Sequence, residues 1–530
     1  MEFFELSKMK KRENWGTKIG LILAMAGNAL GLGNFLRFPV QAATNGGGSF
    51  MLPYFIALLL LGIPMVIIEW AIGRYGGKYG HGSLPGMFDV MWKNKIAKYL
   101  GMLGLFSSAA IMIYYTYIES WSLGYSFLSI TKSYFGLESF SEMQTFLASY
   151  QGISDKYFSS IATAYIFLII TFLANFYILY RGVAKGIEKL ALVAMPLLLL
   201  FAIAIMIRVI TLGTPDPVNH PDWNVMTGFA YIWNPDFSML GSAKVWLAAA
   251  GQIFFTLSIG MGTLAGYASY LKEKDDIALG SLATVSLNEF AEVILGASIA
   301  IPIAVAFFGL TTTQEIAAGG AFNLGFVSMP LIFQHLPFGD ILGFMWFLLL
   351  FFAGITSSVA MAQPVIAFLE EQFNFSKRKA TTIIAIITFV CINLVVIFFQ
   401  FGFLDEMDYW SGTFTLVIIA LIEVIVFAWI FGIDKGWEEI NKGALVKIPS
   451  VYKYIIKYIT PLYLIVILVF WTYQDAIPIL LLENVPAEQV PYRWMARVLM
   501  IVIALALSLM IYYAWNKNKK STNYNENKEN

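Results

Sequence analysis

The chain has 530 residues, of which 58% are hydrophobic and only 13% are charged, and its 34 basic residues balance its 34 acidic ones. Soluble globular proteins carry about 25% charged residues, so this composition excludes a water-soluble fold, and the formal neutrality gives no electrostatic support to a nucleic-acid partner. Long apolar runs predict membrane-spanning helices, whereas the alternating segments of about 10 residues that build a transmembrane barrel do not recur.

The N-terminal segment MEFFELSKMKKRENWGTKIG is polar and charged, and no small-residue cleavage site of the secretory type follows it. We therefore expect residues 1–17 to form a retained cytoplasmic tail. The polar residues 517–530 predict a second cytoplasmic tail at the other end of the chain.

Between these tails lie apolar stretches of helical length, each long enough to cross about 30 Å of hydrocarbon. They predict an all-α polytopic membrane protein with about twelve transmembrane helices. The predicted spans are 18–42, 48–75, 97–131, 159–180, 187–211, 243–270, 276–308, 339–371, 377–398, 403–429, 450–475 and 491–516.

Basic residues are distributed unevenly between the two sides of this bundle. With the N-terminus inside, the cytoplasmic loops and tails hold about 27 of the 34 Lys and Arg residues, as the positive-inside rule requires. We therefore expect a multi-pass protein of the cell inner (plasma) membrane with both termini in the cytoplasm. The larger outside loops, about 132–158, 212–242 and 309–338, are too short for an enzymatic domain, so function is expected among the helices.

Glycines interrupt the first span near its middle, where Gly27, Gly31 and Gly33 stand beside Asn28 and Asn34. Each glycine costs about 1 kcal/mol relative to alanine inside a helix. Close helix packing is one explanation, because small residues allow it. The other is an unwound segment, which persists at mid-membrane only where its backbone lines a polar cavity or binds a ligand.

The sixth span has the same feature, with Thr256, Ser258, Gly260 and Gly262 near its midpoint. Spans one and six are equivalent members of two sets of five, which predicts an inverted repeat. Its halves would be residues 18–211 (helices 1–5) and 243–430 (helices 6–10), followed by helices 11 and 12 at 450–516. Half-helix N-termini suit a carboxylate, while carbonyls and half-helix C-termini suit Na⁺, so an anionic or zwitterionic solute is expected.

Several long motifs resemble the neurotransmitter:sodium symporter family, in particular its bacterial leucine transporters, from about residue 12 to beyond residue 500. The motifs are GNALGLGNFLRFP, NGGGSF, EWAIGRYGG, IYYTYIESW, GQIFFTLSIGMG, FFAGITSSVAMAQP and LDEMDYW, in this order. The resemblance implies a LeuT-type 5+5 inverted repeat with broken helices 1 and 6. It also implies sodium-coupled symport of small neutral amino acids by alternating access.

Two sodium sites are implied by the same resemblance. The first ion would be held by the substrate carboxylate and by Ala29, Asn34, Thr256 and Asn288. The second would be held by Gly27, Leu30, Ala353, Thr356 and Ser357. All of these supply carbonyl, amide or hydroxyl oxygens, the hard ligands that an alkali cation prefers.

The implied substrate site surrounds the two interruptions. It comprises Asn28, Ala29, Leu32, Gly33, Ile111, Tyr115, Phe255, Thr256, Ser258, Met261, Ser357 and Met361. Backbone amides near Leu32 and the hydroxyl of Tyr115 would meet the substrate carboxylate. Met261 and Met361 replace a Phe and an Ile of the leucine transporter, and methionine adapts to many shapes, so leucine, methionine and aromatic amino acids all stay open.

Two gates are implied as well. The outer gate would pair Arg37 with Asp408 near Gln252, with Tyr115 and Phe255 as a lid over the substrate. The inner gate would pair Arg12 with Glu371, where the relative has Asp, and the residues near this pair would be Trp15, Ser269 and Tyr270.

Four carboxylates fall inside predicted spans, where a charge is costly and marks a functional candidate. For Glu69, Glu119 and Glu423, structural pairing is the alternative. Glu292 is different, because chloride-dependent members of the family have a neutral residue there and bind an anion. The built-in carboxylate of Glu292 therefore implies chloride independence.

Other classes of function find less support. His81, His220 and His335 fall in predicted loops, and neither an H-E-x-x-H nor a P-loop motif occurs, so an enzyme is not expected. A channel or a non-transporting sensor could use the same broken helices, and a twelve-span carrier with two parallel halves is the structural alternative. The preferred amino acid, the ion stoichiometry, proton antiport and the oligomeric state stay open, with a homodimer as one option.

Overall fold

A computed structural model gives the structure of residues 13–529, with side chains described for residues 13–517. The chain is all-helical over this range. Ten helices are long and apolar enough to cross a membrane, and the bent pair Lys18–Ala29 and Leu32–Thr44 makes eleven. A second interrupted helix, Ala243–Thr256 with Thr263–Ala268, makes the predicted twelve spans compatible with the structure.

We number these segments α1 to α12 and call the two halves of each interrupted segment a and b. The segments are α1a Lys18–Ala29, α1b Leu32–Thr44, α2 Gly48–Lys78, α3 Ala97–Ile130, α4 Ala162–Arg181, α5 Val183–Ile210, α6a Ala243–Thr256, α6b Thr263–Ala268, α7 Ile277–Phe308, α8 Gly339–Phe373, α9 Lys377–Phe401, α10 Phe403–Asn441, α11 Val451–Leu480 and α12 Val490–Lys517.

Helices α3 and α8 pack along one another at the centre of the bundle. In the most apolar stretch of α3, 89% of the residues are buried inside the protein, against 22% in α9. The side chains of Ile386, Ile387 and Val390 on α9 are exposed although they are apolar. This is the pattern of a peripheral helix that faces lipid, so α3 and α8 form the core on which the other helices are arranged.

The break in α1 bends its two halves by 61°. Leu30 leaves the helical conformation with φ −70° and ψ 97°, and Gly31 is extended. The freed amides find side-chain partners, since the Gly31 N–H donates to Asn34 Oδ1 at 2.8 Å and the Leu32 N–H donates to the Tyr115 hydroxyl at 2.9 Å. Side chains of α1b and α3 thus stabilise the interruption.

The break in α6 contains three residues with positive φ, namely Ser258 (53°), Gly260 (79°) and Gly262 (70°). A Cβ atom at Gly260 would lie 2.4 Å from the Leu416 carbonyl oxygen, so only glycine fits there. The Gly260 N–H donates to Glu69 Oε1 at 2.7 Å. The predicted interruptions of both spans are therefore real breaks in the helices, whose freed amides are bonded by side chains of the core.

The largest difference from a predicted boundary is at the end of the tenth span, and the structure adds helices to the loops. The tenth span was expected to end at residue 429, but after a turn at Gly432 (φ 99°) the polar helix Ile433–Asn441 follows. It is held by an ion pair of 2.8 Å between Arg74 Nε and Glu439 Oε1. The loops that were expected on the outside contain the short helices Phe140–Tyr150, Val225–Trp233 and Leu310–Ala318.

Candidate functional site

A narrow cavity lies between the two interruptions, where α1 and α6 face α3 and α8. Only about 10 Å³ of it can hold the centre of a water molecule, which is the space of roughly one water. An amino acid therefore enters only if side chains move. The residues lining the cavity are Ala29, Gly31, Gly33, Asn34, Ile111, Tyr115, Phe255, Ser258, Met261, Ser357 and Met361.

Nine of the twelve predicted substrate residues line this cavity. Of the other three, Asn28 accepts through its carbonyl from the Ser258 hydroxyl at 2.9 Å. Leu32 meets Tyr115 through its amide, and Thr256 bonds to Asn34 behind the cavity wall. The structure thus brings the predicted substrate residues together around one space.

One end of the cavity is suited to an anion. The Leu32 N–H belongs to the first turn of α1b and points at Tyr115, and a helix start carries partial positive charge. Gly33 has no side chain, and a Cβ atom there would lie 2.5 Å from the Phe255 ring. Glycine at position 33 thus lets the Phe255 ring cover the start of α1b.

The five residues predicted for the second sodium ion converge between α1a and α8. The Ser357 hydroxyl lies 3.3 Å from the carbonyl oxygens of both Gly27 and Leu30, and 3.1 Å from that of Ala353. The Thr356 hydroxyl lies 3.1 Å from the same Ala353 oxygen. Three carbonyls and two hydroxyls therefore meet where the helix of α1a ends, and this donor set fits an alkali cation.

Three of the residues predicted for the first sodium ion are joined by hydrogen bonds. Asn34 Nδ2 donates to Thr256 Oγ1 at 3.0 Å and to Asn288 Oδ1 at 2.8 Å. Ala29, the fourth, lines the cavity next to them. The side chains of Asn34, Thr256 and Asn288 are all buried. The oxygens of Thr256 and Asn288 thus lie together beside the cavity, whereas Asn34 turns its amide nitrogen toward them and its Oδ1 toward the Gly31 N–H.

Glu292 lies directly behind this first cluster, in a π-helical turn of α7. Its carboxylate accepts from Asn34 Nδ2 at 2.8 Å and from the Thr256 hydroxyl. It also accepts from Gln252 Nε2 at 2.9 Å and from the Tyr54 hydroxyl at 3.2 Å. Four donors thus surround a fully buried carboxylate. Without the Glu292 side chain, the same donors could bind a free anion.

The predicted outer gate residues lie above the cavity without forming their ion pair. Among the described residues, Arg37 and Asp408 do not approach within ion-pair distance of each other. The Arg37 guanidinium instead stacks over the Phe255 ring at 4.4 Å, and Asp408 Oδ1 accepts from the Tyr114 hydroxyl at 2.6 Å. Gln252, expected near this pair, donates to Glu292 instead. The Arg37–Asp408 pair therefore stays a prediction.

The residues of the predicted inner gate lie near the start of α1a and the ends of α6b and α8. Arg12 lies outside the described residues. Glu371 accepts from the Gly82 N–H at 2.9 Å. The Trp15 indole donates to the Tyr267 carbonyl at 3.2 Å, and the Tyr270 hydroxyl accepts from Gln363 at 2.8 Å. Ser269 hydrogen-bonds to the carbonyl of Gly266 within the last turn of α6b.

The remaining membrane carboxylates support the core. Glu119 on α3 accepts from Asn175 Nδ2 at 3.0 Å, and Asn175 in turn accepts from the Ser358 hydroxyl at 2.6 Å. Glu69 bonds the interruption of α6 through Gly260, and Glu423 on α10 is fully buried as well. Glu119 thus links α3, α4 and α8, whereas Glu69 helps to shape the site.

Some residues of the site were missed by sequence reasoning. Gly31 lines the cavity, and a Cβ atom there would lie 2.9 Å from the Tyr115 hydroxyl; its place among the interrupting glycines was the available signal. Tyr54 donates to both Glu289, at 2.8 Å, and Glu292. No local pattern marks Tyr54, because its partners lie more than 200 residues away in the chain.

The groups around the cavity that could bind an ion are oxygen atoms. Within the described residues, no three side chains of His, Cys, Asp or Glu gather as ligands for a metal ion. Backbone carbonyls, amides and hydroxyls instead converge around the cavity. Such oxygens bind Na⁺ in preference to a transition metal.

Comparisons with known proteins agree with this geometry. A model of the sodium:neurotransmitter symporter family matches residues 12–135 and 138–520. The chain is 30% identical over 459 residues to an uncharacterised sodium-dependent transporter of Methanocaldococcus jannaschii, covering 86% of this chain and 89% of that protein. It is 29% identical over 414 residues to YhdH of Bacillus subtilis, also an uncharacterised sodium-dependent transporter, covering 76% of this chain and 82% of that protein.

Among solved structures, the chain matches the crystal structure of MhsT in complex with L-phenylalanine. The TM-score is 0.74 at 27% sequence identity, and the match covers 87% of this chain and 99% of MhsT. This match confirms the predicted all-α fold class.

Proposed function

Since the chain belongs to the sodium:neurotransmitter symporter family, we propose that it carries small neutral amino acids with hydrophobic or aromatic side chains across the membrane together with Na⁺. The observation that carries this proposal is the pair of oxygen clusters on either side of one cavity, each built at an interrupted helix. Relatives named as sodium-dependent transporters and a similar protein bound to L-phenylalanine support it.

In the proposed bound state, the amino acid spans the cavity. Its carboxylate meets the Leu32 amide and the Tyr115 hydroxyl, and completes the shell of the first sodium ion with Ala29, Asn34, Thr256 and Asn288. Its ammonium group meets the carbonyl oxygens at the interruption of α6. The side chain extends toward Ile111, Met261 and Met361, which are apolar and uncharged.

The proposed cycle is alternating access. Na⁺ at the second site joins the Gly27 and Leu30 carbonyls of α1a to Thr356 and Ser357 of α8, so the ion holds the cytoplasmic side closed. Substrate lets Phe255 and the Arg37–Asp408 pair close above it. Segments α1, α2, α6 and α7 then rock against the rest of the bundle. Residues 18–211 and 243–430 are the two inverted halves, and the protein lies in the inner membrane with both termini in the cytoplasm.

We further propose that transport is independent of chloride. The Glu292 carboxylate accepts from Tyr54, Gln252, Asn34 and Thr256, so a negative charge already occupies the centre of these donors. It offsets the charge of Na⁺ at the adjacent first site without an added anion.

The test uses purified protein in proteoliposomes with an inward Na⁺ gradient. Competition by each of the twenty amino acids ranks the substrates, and counterflow of a labelled amino acid separates a carrier from a channel or a sensor. Uptake that is equal with Na⁺ and with K⁺ outside would contradict the proposal. Replacing chloride by gluconate must leave uptake intact if Glu292 acts as stated.

A further inference from the structure

The start of α1a is bonded to the cytoplasmic end of α5 through a single carboxylate. Glu188 Oε2 accepts from the Gly16 N–H at 2.6 Å, and Oε1 accepts from the Thr17 N–H at 2.9 Å and the Thr17 hydroxyl at 2.8 Å. Glu188 is 3% exposed. Because the first amides of a helix lack partners and carry partial positive charge, a buried carboxylate stabilises this end strongly.

The chain makes room for this carboxylate on α1a. A Cβ atom at Gly20 would lie 2.2 Å from Glu188 Oε1, and one at Gly16 would lie 3.2 Å from the same oxygen. A side chain at position 20 would therefore push Glu188 away from the helix. The Thr17 hydroxyl also accepts from the Gly20 N–H at 2.9 Å. Thr17 thus caps α1a and contacts Glu188 at the same time.

A second, weaker tie runs beside the first. Glu13 Oε2 accepts from the Val183 N–H at 2.8 Å, and its Oε1 pairs with Lys377 Nζ at 2.7 Å. The Glu13 side chain is 44% exposed, so solvent screens this ion pair. Both ties join the segment before α1a to the start of α5.

We propose that Glu188 is a gating residue that latches α1a to α5, and that its release is a step of cytoplasmic opening. This inference rests on the proposed function, since it assigns a part of the alternating-access cycle. Movement of α1a away from α5 would also carry the Gly27 and Leu30 carbonyls away from Ser357. Na⁺ at the second site and the Glu188 latch thus favour the same closed state and are coupled.

The test measures how readily a buried position of α1a reaches solvent. In a Cys391→Ala background, which removes the single cysteine of the chain, Ala24→Cys places a thiol at a site that is 3% exposed. This position lies about 10 Å along the helix from Thr17 at 1.5 Å per residue. The full-length protein in nanodiscs is labelled with a membrane-impermeant maleimide over a series of Na⁺ concentrations.

Glu188→Gln should raise the labelling rate roughly tenfold, the change expected from losing one charge-assisted hydrogen bond. The Na⁺ concentration for half-protection should rise by a similar factor, because Na⁺ must then close α1a without the latch. Thr17→Val, which keeps the carboxylate, should give a smaller shift in the same direction. Lys189→Gln is the matched control, since Lys189 is the next residue of α5 and is exposed.

Two results would overturn the latch. One is labelling of both Glu188→Gln and Thr17→Val at the rate of the parent protein. The other is exposure that saturating Na⁺ does not reduce, because general damage to α1a has no reason to depend on Na⁺. If Glu188→Gln does not give a monodisperse protein, Thr17→Val decides. Uptake by the parent protein is measured in a separate assay. Absence of Na⁺-driven uptake would refute the proposed function, whereas the labelling rates alone decide whether Glu188 holds α1a closed.

Discussion

Replacement of Glu292 by serine tests whether this carboxylate offsets the charge of Na⁺ at the proposed first sodium site. The change removes a buried negative charge and leaves the donors of Tyr54 and Gln252 in place. At an effective dielectric constant of about 20, a unit charge placed about 5 Å from a monovalent cation contributes about 3 kcal/mol. Since 1.4 kcal/mol corresponds to a factor of ten, Glu292→Ser should weaken Na⁺-dependent binding roughly 100-fold when chloride is absent.

Chloride should restore most of this loss, because the smaller side chain leaves a polar space with donors for an anion. Binding of a labelled amino acid is followed against Na⁺ concentration in chloride and in gluconate. Glu292→Gln is the matched control, since it removes the same charge but fills the same space, so chloride should not restore its loss. Unchanged Na⁺ dependence of Glu292→Ser in gluconate would refute the electrostatic reasoning.

Three further substitutions address the second ion, the lid and the specificity of the pocket. Thr356→Ala should raise the Na⁺ concentration for half-maximal binding about tenfold, because one hydroxyl ligand is lost. The control Thr388→Ala on α9 should leave this concentration unchanged. Identical Na⁺ binding curves for the two variants would contradict the assignment of the second site. Gly33→Ala should abolish high-affinity binding while the protein still folds, because its Cβ would lie 2.5 Å from the Phe255 ring, and scintillation-proximity binding of the preferred amino acid measures this. Met261→Phe should favour smaller aliphatic substrates over aromatic ones in a competition panel, and an unaltered ranking would show that position 261 does not shape the pocket.

The membrane spans were predictable because lipid imposes a simple rule on composition. Apolar length alone gave helices such as α4, expected at 159–180 and observed at Ala162–Arg181. The breaks were predictable for the same reason, since Gly31 and Gly260 are costly inside a helix unless the backbone unwinds. The end of α10 was not, because a polar helix continues beyond Gly432 and has no apolar signal.

The pairing of side chains across helices was not predictable from the sequence. The resemblance implied an Arg37–Asp408 pair, but Arg37 stacks on Phe255 and Asp408 accepts from Tyr114. Tyr114 lies one residue before Tyr115, yet nothing local indicates that its hydroxyl meets Asp408. The bond between Thr17 and Glu188 joins residues 171 positions apart, and only the packing of α1a on α5 brings them together. Patterns of hydrophobicity report which face is buried, whereas partners across helices depend on the rotation and height of each helix.

The small size of the central cavity has a consequence for the electrical properties of the membrane. The part of the cavity open to the centres of water molecules is about 10 Å³, room for roughly one water, so this conformation holds no chain of water molecules there. We therefore expect little passage of ions through this conformation of the proposed carrier. The ion gradient would then be used mainly when an amino acid opens the space for itself.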